Sequence, residues 1–122
     1  MDSFSKRAIV MVTFPFSDLS ASKLRPALVL AEALRGDYVL CQITSRAYAD
    51  PSAIKIESAD FDEGGLQRES FVRPEKLFTA NEALIRFEVG LLGNVKHASI
   101  VEYVIAMLKE GLDGFEKRRG ER

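Results

Sequence analysis

Apolar residues in this chain occur in short runs separated by polar turn residues, a pattern typical of a protein built mainly from β-strands. The first run, Ala8 to Phe14, is rich in β-branched residues and stops at Pro15. Similar runs predict further strands at Pro26–Leu30, Tyr38–Thr44, Ala53–Ile56, Ser70–Arg73, Lys76–Thr79 and Leu84–Val89. About five to seven short strands with tight connections favour a small β-barrel or a strongly bent sheet.

Polar and glycine-containing segments separate these runs. The stretch 16–23 is rich in Ser and contains one Asp, so we expect a surface loop there. Gly36-Asp37 predicts a turn, and so does Phe61–Leu66, where two adjacent glycines can adopt positive φ. In the run Tyr38–Thr44, alternation predicts that Val39, Cys41 and Ile43 share one face, with Tyr38, Leu40, Gln42 and Thr44 on the other.

The periodicity changes near the C-terminus. Apolar residues recur at 101, 104, 105, 108 and 112, which is the stripe of an amphipathic helix. Asn94 fits an N-cap and Gly111 a helix stop, and we expect this helix to close one end of the barrel. Residues 1–115 then form one domain, and the charged tail 116–122 is expected to fray, since terminal charge runs usually serve solvation.

Length and charge narrow the class of protein. At 122 residues the chain suits a single domain with one site. Its formal net charge is -1, so any nucleic-acid binding must come from a local basic patch rather than from the overall field. The N-terminal residues contain no apolar stretch of signal-peptide length, which predicts a cytoplasmic protein without a membrane partner.

Metal and cofactor chemistry finds little support in the sequence. Cys41 is the only cysteine, which excludes an internal disulfide and predicts a small buried hydrophobic residue. The single His97 excludes a histidine pair within one chain and a His-rich metal cluster. Asp60, Asp62 and Glu63 lack a calcium-loop pattern, and Gly64-Gly65 lacks the spacing of a phosphate-binding loop. We therefore expect neither metal nor cofactor.

Two strand ends carry the candidate chemistry. Proline restricts the residue before it, so Arg25 should leave its loop in a fixed direction where Pro26 opens a strand. Thr44-Ser45-Arg46 ends the next strand, and the two ends can lie side by side in a small sheet. Each feature alone has an ordinary interpretation, an exposed arginine beside a strand-starting proline and a hydroxyl turn after a strand.

Together, arginine and hydroxyl groups suit a phosphate. RNA can be cleaved without a metal if the ribose 2′-OH attacks its own phosphate. That reaction requires a proton acceptor, a proton donor for the leaving 5′-oxygen, and donors that stabilise the charged transition state. Arginine supplies the last of these but is too basic to be an ordinary general base. The residues leave the identity of the base open.

A series of sequence blocks extends in order along the chain to about Leu92. The blocks are Phe14-Pro15-Phe16-Ser17-Asp18, Ser22-Lys23-Leu24-Arg25-Pro26-Ala27-Leu28-Val29-Leu30, Gln42-Ile43-Thr44-Ser45, Gly65-Leu66, Ser70-Phe71-Val72-Arg73 and Lys76-Leu77-Phe78. This series resembles the MazF/PemK toxin family, and the Arg-Pro strand followed by Ile-Thr-Ser is its most specific part. The resemblance implies a mainly β, SH3-like small barrel with short helices, and a homodimeric toxin of a type II toxin-antitoxin pair.

The resemblance also implies an activity. Such toxins are metal-independent endoribonucleases that cut single-stranded RNA, often at short sequences, and a cognate antitoxin blocks their groove. By analogy Arg25 and Thr44 form the catalytic pair, with Arg25 in acid/base or electrostatic work and Thr44 positioning the phosphate. The substrate-binding residues expected around them are Ser17, Asp18, Lys23, Ser45 and Arg46.

The chain departs from the family pattern at two places. Many members begin the first strand with Gly-Asp, where this chain has Arg7-Ala8, and many carry an acidic residue shortly before Arg-Pro, where it has Lys23-Leu24. Asp18 is the nearest acid in that loop. Two alternatives therefore stay open: a toxin with the same barrel that poisons gyrase, as CcdB toxins do, and an inactive paralogue that binds RNA or an antitoxin.

Overall fold

The computed structural model of the protein describes residues 4–15, 22–47 and 49–120. Within these residues the chain forms seven strands, three short 3-10 helices and one α-helix. The strands are β1 Ala8–Pro15, β2 Ser22–Glu32, β3 Asp37–Thr44, β4 Ile54–Ile56, β5 Phe61–Gly64, β6 Ser70–Asn81 and β7 Ile85–Leu92. The 3-10 helices are Leu34–Gly36, Ser58–Asp60 and Glu82–Leu84, and helix α1 is Asn94–Gly120.

All seven strands belong to one antiparallel sheet in the order β4-β6-β3-β2-β1-β7-β5. Strands β1, β2 and β3 form a meander in the centre, where short connections make antiparallel neighbours. Register shifts interrupt most of the pairings, and such bulges increase local twist, so the sheet curls into a half-barrel. The predicted fold class, a mainly β small barrel with a C-terminal helix, is confirmed.

The central strands are buried on both faces. Alternating side chains of β3 enter two apolar clusters, Tyr38 and Leu40 on one side of the sheet and Cys41 and Ile43 on the other, as the predicted alternation requires. Cys41 is fully buried, which raises the pKa of its thiol to about 12. Its predicted role as a small buried hydrophobic residue is confirmed.

Helix α1 covers the face that carries Cys41 and Ile43. Ile100 is fully buried in that cluster, and Val104 lies one turn further along the helix with 8% of its surface exposed. The ring of His97 lies within hydrogen-bonding distance of β2, with 3.2 Å between its Nε2 and the carbonyl oxygen of Val29. Half-burial in this contact lowers the pKa of His97.

Proline positions differ from the prediction. Strand β2 begins at Ser22, four residues before the predicted start at Pro26, and pairs with β1 over its whole first half. Pairing with β3 begins only at Ala27, so one edge of β2 is unpaired at Pro26 and the missing donor is tolerated there. The segments Ser70–Arg73 and Lys76–Thr79 are one strand, because Pro74 lies in a bulge between the pairs Gln42–Arg73 and Cys41–Leu77.

Two further elements are longer or more regular than predicted. Phe61–Gly64 is predicted as a turn but forms the edge strand β5. Its backbone pairs with β7, and its side chains do not alternate between buried and exposed positions. Helix α1 continues through Gly111 to Gly120, so the predicted stop at Gly111 is wrong, and the helix includes the start of the predicted tail. A glycine inside a helix costs about 1 kcal/mol, which the good helix formers beside it offset.

The predicted apolar stripe of α1 is buried only near its start. Ile105, Leu108 and Leu112 are 48%, 61% and 54% exposed in the single chain. The helix therefore leaves an exposed apolar strip along its second half.

Gly64 provides a test of the β5–β7 pairing. Its φ of 63° lies in the left-handed region, and an added Cβ would overlap the carbonyl oxygen of Val89. We expect Gly64→Ala to lower the free energy of unfolding by about 2–4 kcal/mol, measured by urea denaturation. Gly65→Ala is the matched control, because a Cβ there meets no atom within 4 Å. Equal effects of the two substitutions would contradict this account.

Candidate functional site

The pairing of β2 with β3 positions the site. The last paired residues before these strands diverge are Ala27 and Gln42. Because the two strands run in opposite directions, the positions two residues beyond this pair are Arg25 on β2 and Thr44 on β3. The register therefore brings Arg25 and Thr44 to neighbouring strand ends on the same face of the sheet.

An open cleft of about 850 Å³ lies at these strand ends. We call it the basic cleft. Its lining comes from three segments, the start of β2, the end of β3 and the connection before β6. The lining residues are Lys23, Leu24, Arg25, Pro26, Ile43, Thr44, Ser45, Arg46, Leu66, Gln67, Arg68 and Ser70.

The charged residues described in the lining of the basic cleft all have one sign. Four exposed cations line it, Lys23, Arg25, Arg46 and Arg68, and its described lining contains no carboxylate. A chain with net charge -1 thus concentrates positive charge on one face. Such a focused field attracts anions and favours a ligand that carries several phosphates.

The floor of the cleft is formed by buried and partly buried side chains. Ile43 and Ser70 are nearly fully buried, at 4% and 5% exposure, and Leu66 packs against the cluster under helix α1. The Ser70 hydroxyl donates a 2.8 Å hydrogen bond to the carbonyl oxygen of Arg68. This bond fixes the backbone of one cationic wall against the core.

Thr44 has an oriented hydroxyl. Its Oγ1 accepts a 3.0 Å hydrogen bond from the backbone N–H of Arg46 and lies 3.2 Å from the carbonyl oxygen of the same residue. The accepted bond fixes the oxygen, and the hydroxyl proton can turn from that carbonyl toward an anion in the cleft. Thr44 can therefore donate to a bound phosphate without moving its oxygen.

A carboxylate anchors the segment that follows Arg46. One oxygen of Asp50 accepts hydrogen bonds from the backbone N–H and the hydroxyl of Ser52, at 2.9 and 2.6 Å. Its other oxygen accepts a 2.7 Å hydrogen bond from Nε of Arg73 on β6. The bond from Ser52 first, and that from Arg73 second, lower the pKa of Asp50 to about 2. The wall that begins at Ser45 is thus tied to the sheet.

The structure brings together most of the residues that the sequence singles out. Arg25, Thr44, Lys23, Ser45 and Arg46 all line the basic cleft. The predicted residues Ser17 and Asp18 lie outside the described residues.

Sequence reasoning missed Gln67 and Arg68. Both follow the Gly64-Gly65 pair, which the sequence indicates as a turn. A cation between a glycine turn and a strand is a weak signal, and only the fold places it in the same cleft as Arg25.

The described part of the chain adds two observations on other kinds of site. It contains no group of three or more His, Cys, Asp or Glu side chains placed to hold a metal ion. Nor does it contain a helix long and apolar enough to cross a membrane.

The fold and the cleft define a class, a small antiparallel half-barrel with a cationic groove suited to polyanions. A family model of the PemK-like, MazF-like toxins of type II toxin-antitoxin systems matches residues 5–108. The chain belongs to this family. The resemblance found in the sequence blocks is thereby confirmed. No curated protein matches the chain in sequence.

Solved structures share the fold at low sequence identity. A MazE-MazF structure from Deinococcus radiodurans has a TM-score of 0.69 at 19% identity, with 85% of this chain and 94% of that chain covered. The Mycobacterium tuberculosis toxin MazF-mt6 has a TM-score of 0.62 at 19% identity, covering 80% and 92%. A mycobacterial endoribonuclease in complex with its cognate antitoxin has a TM-score of 0.62 at 13% identity, covering 88% and 93%.

Asp50 allows a test of the anchored segment. Because folding lowers its pKa, Asp50 contributes stability above pH 4, and that contribution is lost as the pH falls from about 4 to about 2. We expect Asp50→Asn to lower the free energy of unfolding at pH 7 by roughly 2 kcal/mol. The variant should also lose less stability than the wild type between pH 4 and 2, measured by thermal denaturation.

Asp62→Asn is the control for this substitution. The Asp62 carboxylate pairs with Arg7 at 2.8 Å but is 55% exposed, so its removal should cost less than about 1 kcal/mol. If Asp50→Asn lowered the free energy of unfolding no more than Asp62→Asn, the hydrogen bonds of Asp50 would not stabilise the protein as expected.

Proposed function

We propose that this protein is the toxin of a type II toxin-antitoxin pair and acts as a metal-independent endoribonuclease on single-stranded RNA at preferred sequences. The observation that carries the proposal is the basic cleft, in which Arg25 and Thr44 lie at neighbouring strand ends among cations and without a described carboxylate. Family membership supports the same conclusion.

The proposed reaction is an internal transesterification. The ribose 2′-oxygen attacks the adjoining phosphorus, and the bond from phosphorus to the 5′-oxygen of the next nucleotide breaks. The attacking oxygen loses a proton and the leaving oxygen gains one, giving a 2′,3′-cyclic phosphate and a 5′-hydroxyl. No water or metal ion is consumed in this step.

Arg25 and Thr44 have separate roles in this scheme. The Arg25 guanidinium neutralises the charge that builds up on the phosphate in the transition state. The Thr44 hydroxyl, with its oxygen fixed by the Arg46 N–H, donates to a non-bridging oxygen and holds the phosphate in place.

The remaining cations hold the strand on either side of the cut. Lys23, Arg46 and Arg68 are exposed around the same cleft and can pair with neighbouring phosphates. An extended single strand presents its phosphates in succession, whereas the apolar floor offers a surface for unpaired bases.

Asp18 is the proposed proton acceptor. The described lining contains no carboxylate or imidazole, and His97 is engaged with Val29 on the helix-covered face. Asp18 is the nearest acidic residue that precedes Arg25 in the sequence. In this role it replaces the acid that many family members carry shortly before Arg-Pro.

A cognate antitoxin and a second copy of the chain are the proposed partners. The titles of two similar structures describe a MazE-MazF assembly and an endoribonuclease with its cognate antitoxin. We propose that an antitoxin segment occupies the basic cleft and excludes RNA. The exposed apolar strip of helix α1 is the proposed site of a two-fold contact between copies.

Cleavage of RNA tests the proposal directly. Purified protein incubated with long single-stranded RNA in EDTA should give discrete fragments that end in 2′,3′-cyclic phosphate. Arg25→Ala should lower kcat/KM at least about 100-fold, because one transition-state donor is lost. Arg86→Gln is the control, since Arg86 is exposed on β7 and does not line the basic cleft.

Other results would separate the alternatives. Asp18→Asn should lower kcat by about 100-fold if Asp18 accepts the proton. Inhibition of DNA gyrase without RNA cleavage would favour a gyrase poison. Tight RNA binding without cleavage, unchanged by Arg25→Ala, would favour an inactive paralogue. No cleavage across a diverse set of RNAs would falsify the proposed activity.

The mass in solution tests the proposed dimer. Light scattering at micromolar concentration should give close to twice the 13.6 kDa of the chain. The double substitution Ile105→Glu, Leu108→Glu should give a monomer, because charges would enter the apolar contact. Val95→Glu changes an equally apolar residue that is 86% exposed near the start of the same helix, and should leave the dimer intact. A monomeric wild type would contradict the proposal.

A further inference from the structure

A second depression, of about 540 Å³, adjoins the basic cleft. We call it the side depression. Ser45 and Arg46 line both cavities and form the wall between them, and two alanines leave the side depression open. A ligand held at Arg46 can therefore extend from one cavity into the other.

An aromatic side chain lies in the side depression next to Thr44. Phe71 on β6 pairs directly with Thr44 on β3, and paired residues of neighbouring strands share a face of the sheet. Phe71 is half-buried, so part of its surface is accessible from the cavity. In the sheet, Thr44 on β3 thus has Arg25 on the neighbouring strand β2 and Phe71 on the other neighbouring strand, β6.

This placement suits a nucleobase. Unpaired bases stack on aromatic side chains, and each such stack strengthens binding independently of base identity. A phosphate held at Thr44 carries a nucleotide on each side, and the base of one of them is within reach of the neighbouring residue in the sheet. The side depression is the cavity available there.

Two carboxylates line the side depression. Glu69 is 60% exposed and lies 2.7 Å from Nζ of Lys55, so its oxygens retain room for another donor. Asp50 lines the same cavity, with its oxygens already bonded to Ser52 and Arg73. Ionised carboxylates only accept hydrogen bonds, and they pair with the exocyclic amino groups of bases.

We propose that the side depression is a nucleobase subsite, in which the base next to the cleaved phosphate stacks on Phe71 and donates its exocyclic amino group to Glu69. Bases with an exocyclic amino group, which are cytosine, adenine and guanine, are therefore preferred over uracil, which has none. The inference rests on the proposed RNA substrate, and it assigns one nucleotide of that RNA to the side depression.

A tryptophan probe tests the stacking. The chain contains no Trp, so Phe71→Trp introduces a single fluorophore into the side depression. Single-stranded 2′-O-methyl oligonucleotides, which lack a free 2′-hydroxyl and are not cleaved, should quench its fluorescence. Leu34→Trp is the matched control, because Leu34 is 82% exposed at the opposite end of the β2–β3 hairpin and should show no quenching.

Loss of the ring gives a second measure of stacking. Phe71→Leu keeps an apolar side chain, so the protein should fold, but it should weaken oligonucleotide binding about tenfold. Equal binding by Phe71→Leu and wild type, or no quenching in Phe71→Trp while RNA is bound, would overturn the subsite.

A pair of pyrimidines tests the selectivity, since cytosine and uracil differ by the amino group that Glu69 is proposed to bind. The 2′-O-methyl oligocytidine should bind roughly tenfold more tightly than oligouridine. Glu69→Gln should remove most of this preference. Glu57→Gln is the control, because Glu57 also lies near Lys55, at 3.8 Å, but does not line the side depression. Equal affinity of the wild type for both oligonucleotides would refute the amino-base preference.

The experiments distinguish this inference from the proposed activity. Quenching without any RNA cleavage would support the nucleobase subsite and contradict the proposed endoribonuclease activity. RNA cleavage without quenching or pyrimidine preference would support the activity and contradict the subsite.

Discussion

The register between β2 and β3 is the constraint on which the rest of the site depends. Both strands are buried on both faces, so a slip of one residue would exchange the two apolar clusters and expose residues such as Ala27 and Leu40 to the wrong surroundings. The same register carries Arg25 to Thr44, and the register between β3 and β6 pairs Thr44 with Phe71. The core thus fixes the relative positions of the polar residues that follow it.

Much of this fold can be predicted from the sequence because its central strands have strong local signals. Ala8–Phe14 and Tyr38–Thr44 are β-branched or alternating runs, and both are strands at nearly the predicted bounds. The errors occur where pairing overrides local preference. Pro26 lies inside a strand because its pairing with β3 has not yet begun, and Pro74 does so because its strand is bulged there. Neither fact can be predicted from the local sequence.

The candidate site is partly predictable for a similar reason. Arg25 and Thr44 stand next to recognisable strands, so their proximity follows once those strands pair. Arg68 comes from a connection far from Arg25 in the chain, and it lines the same cleft only because the sheet brings the two segments together. Phe71 belongs to a strand pattern that predicts burial, whereas the cavity that it lines also takes residues from the segment after Arg46, and no local pattern shows that these segments meet.

The four cations of the basic cleft have a consequence for how a ligand approaches. The whole chain carries slightly more acidic than basic residues, so placing four cations in one cleft leaves the remaining charge of the chain distinctly negative. A polyanion is then repelled from most orientations and attracted in one, over a range of about 8–10 Å at physiological ionic strength. This separation of charge is an electric dipole, which turns the cleft toward an approaching polyanion before the two molecules touch.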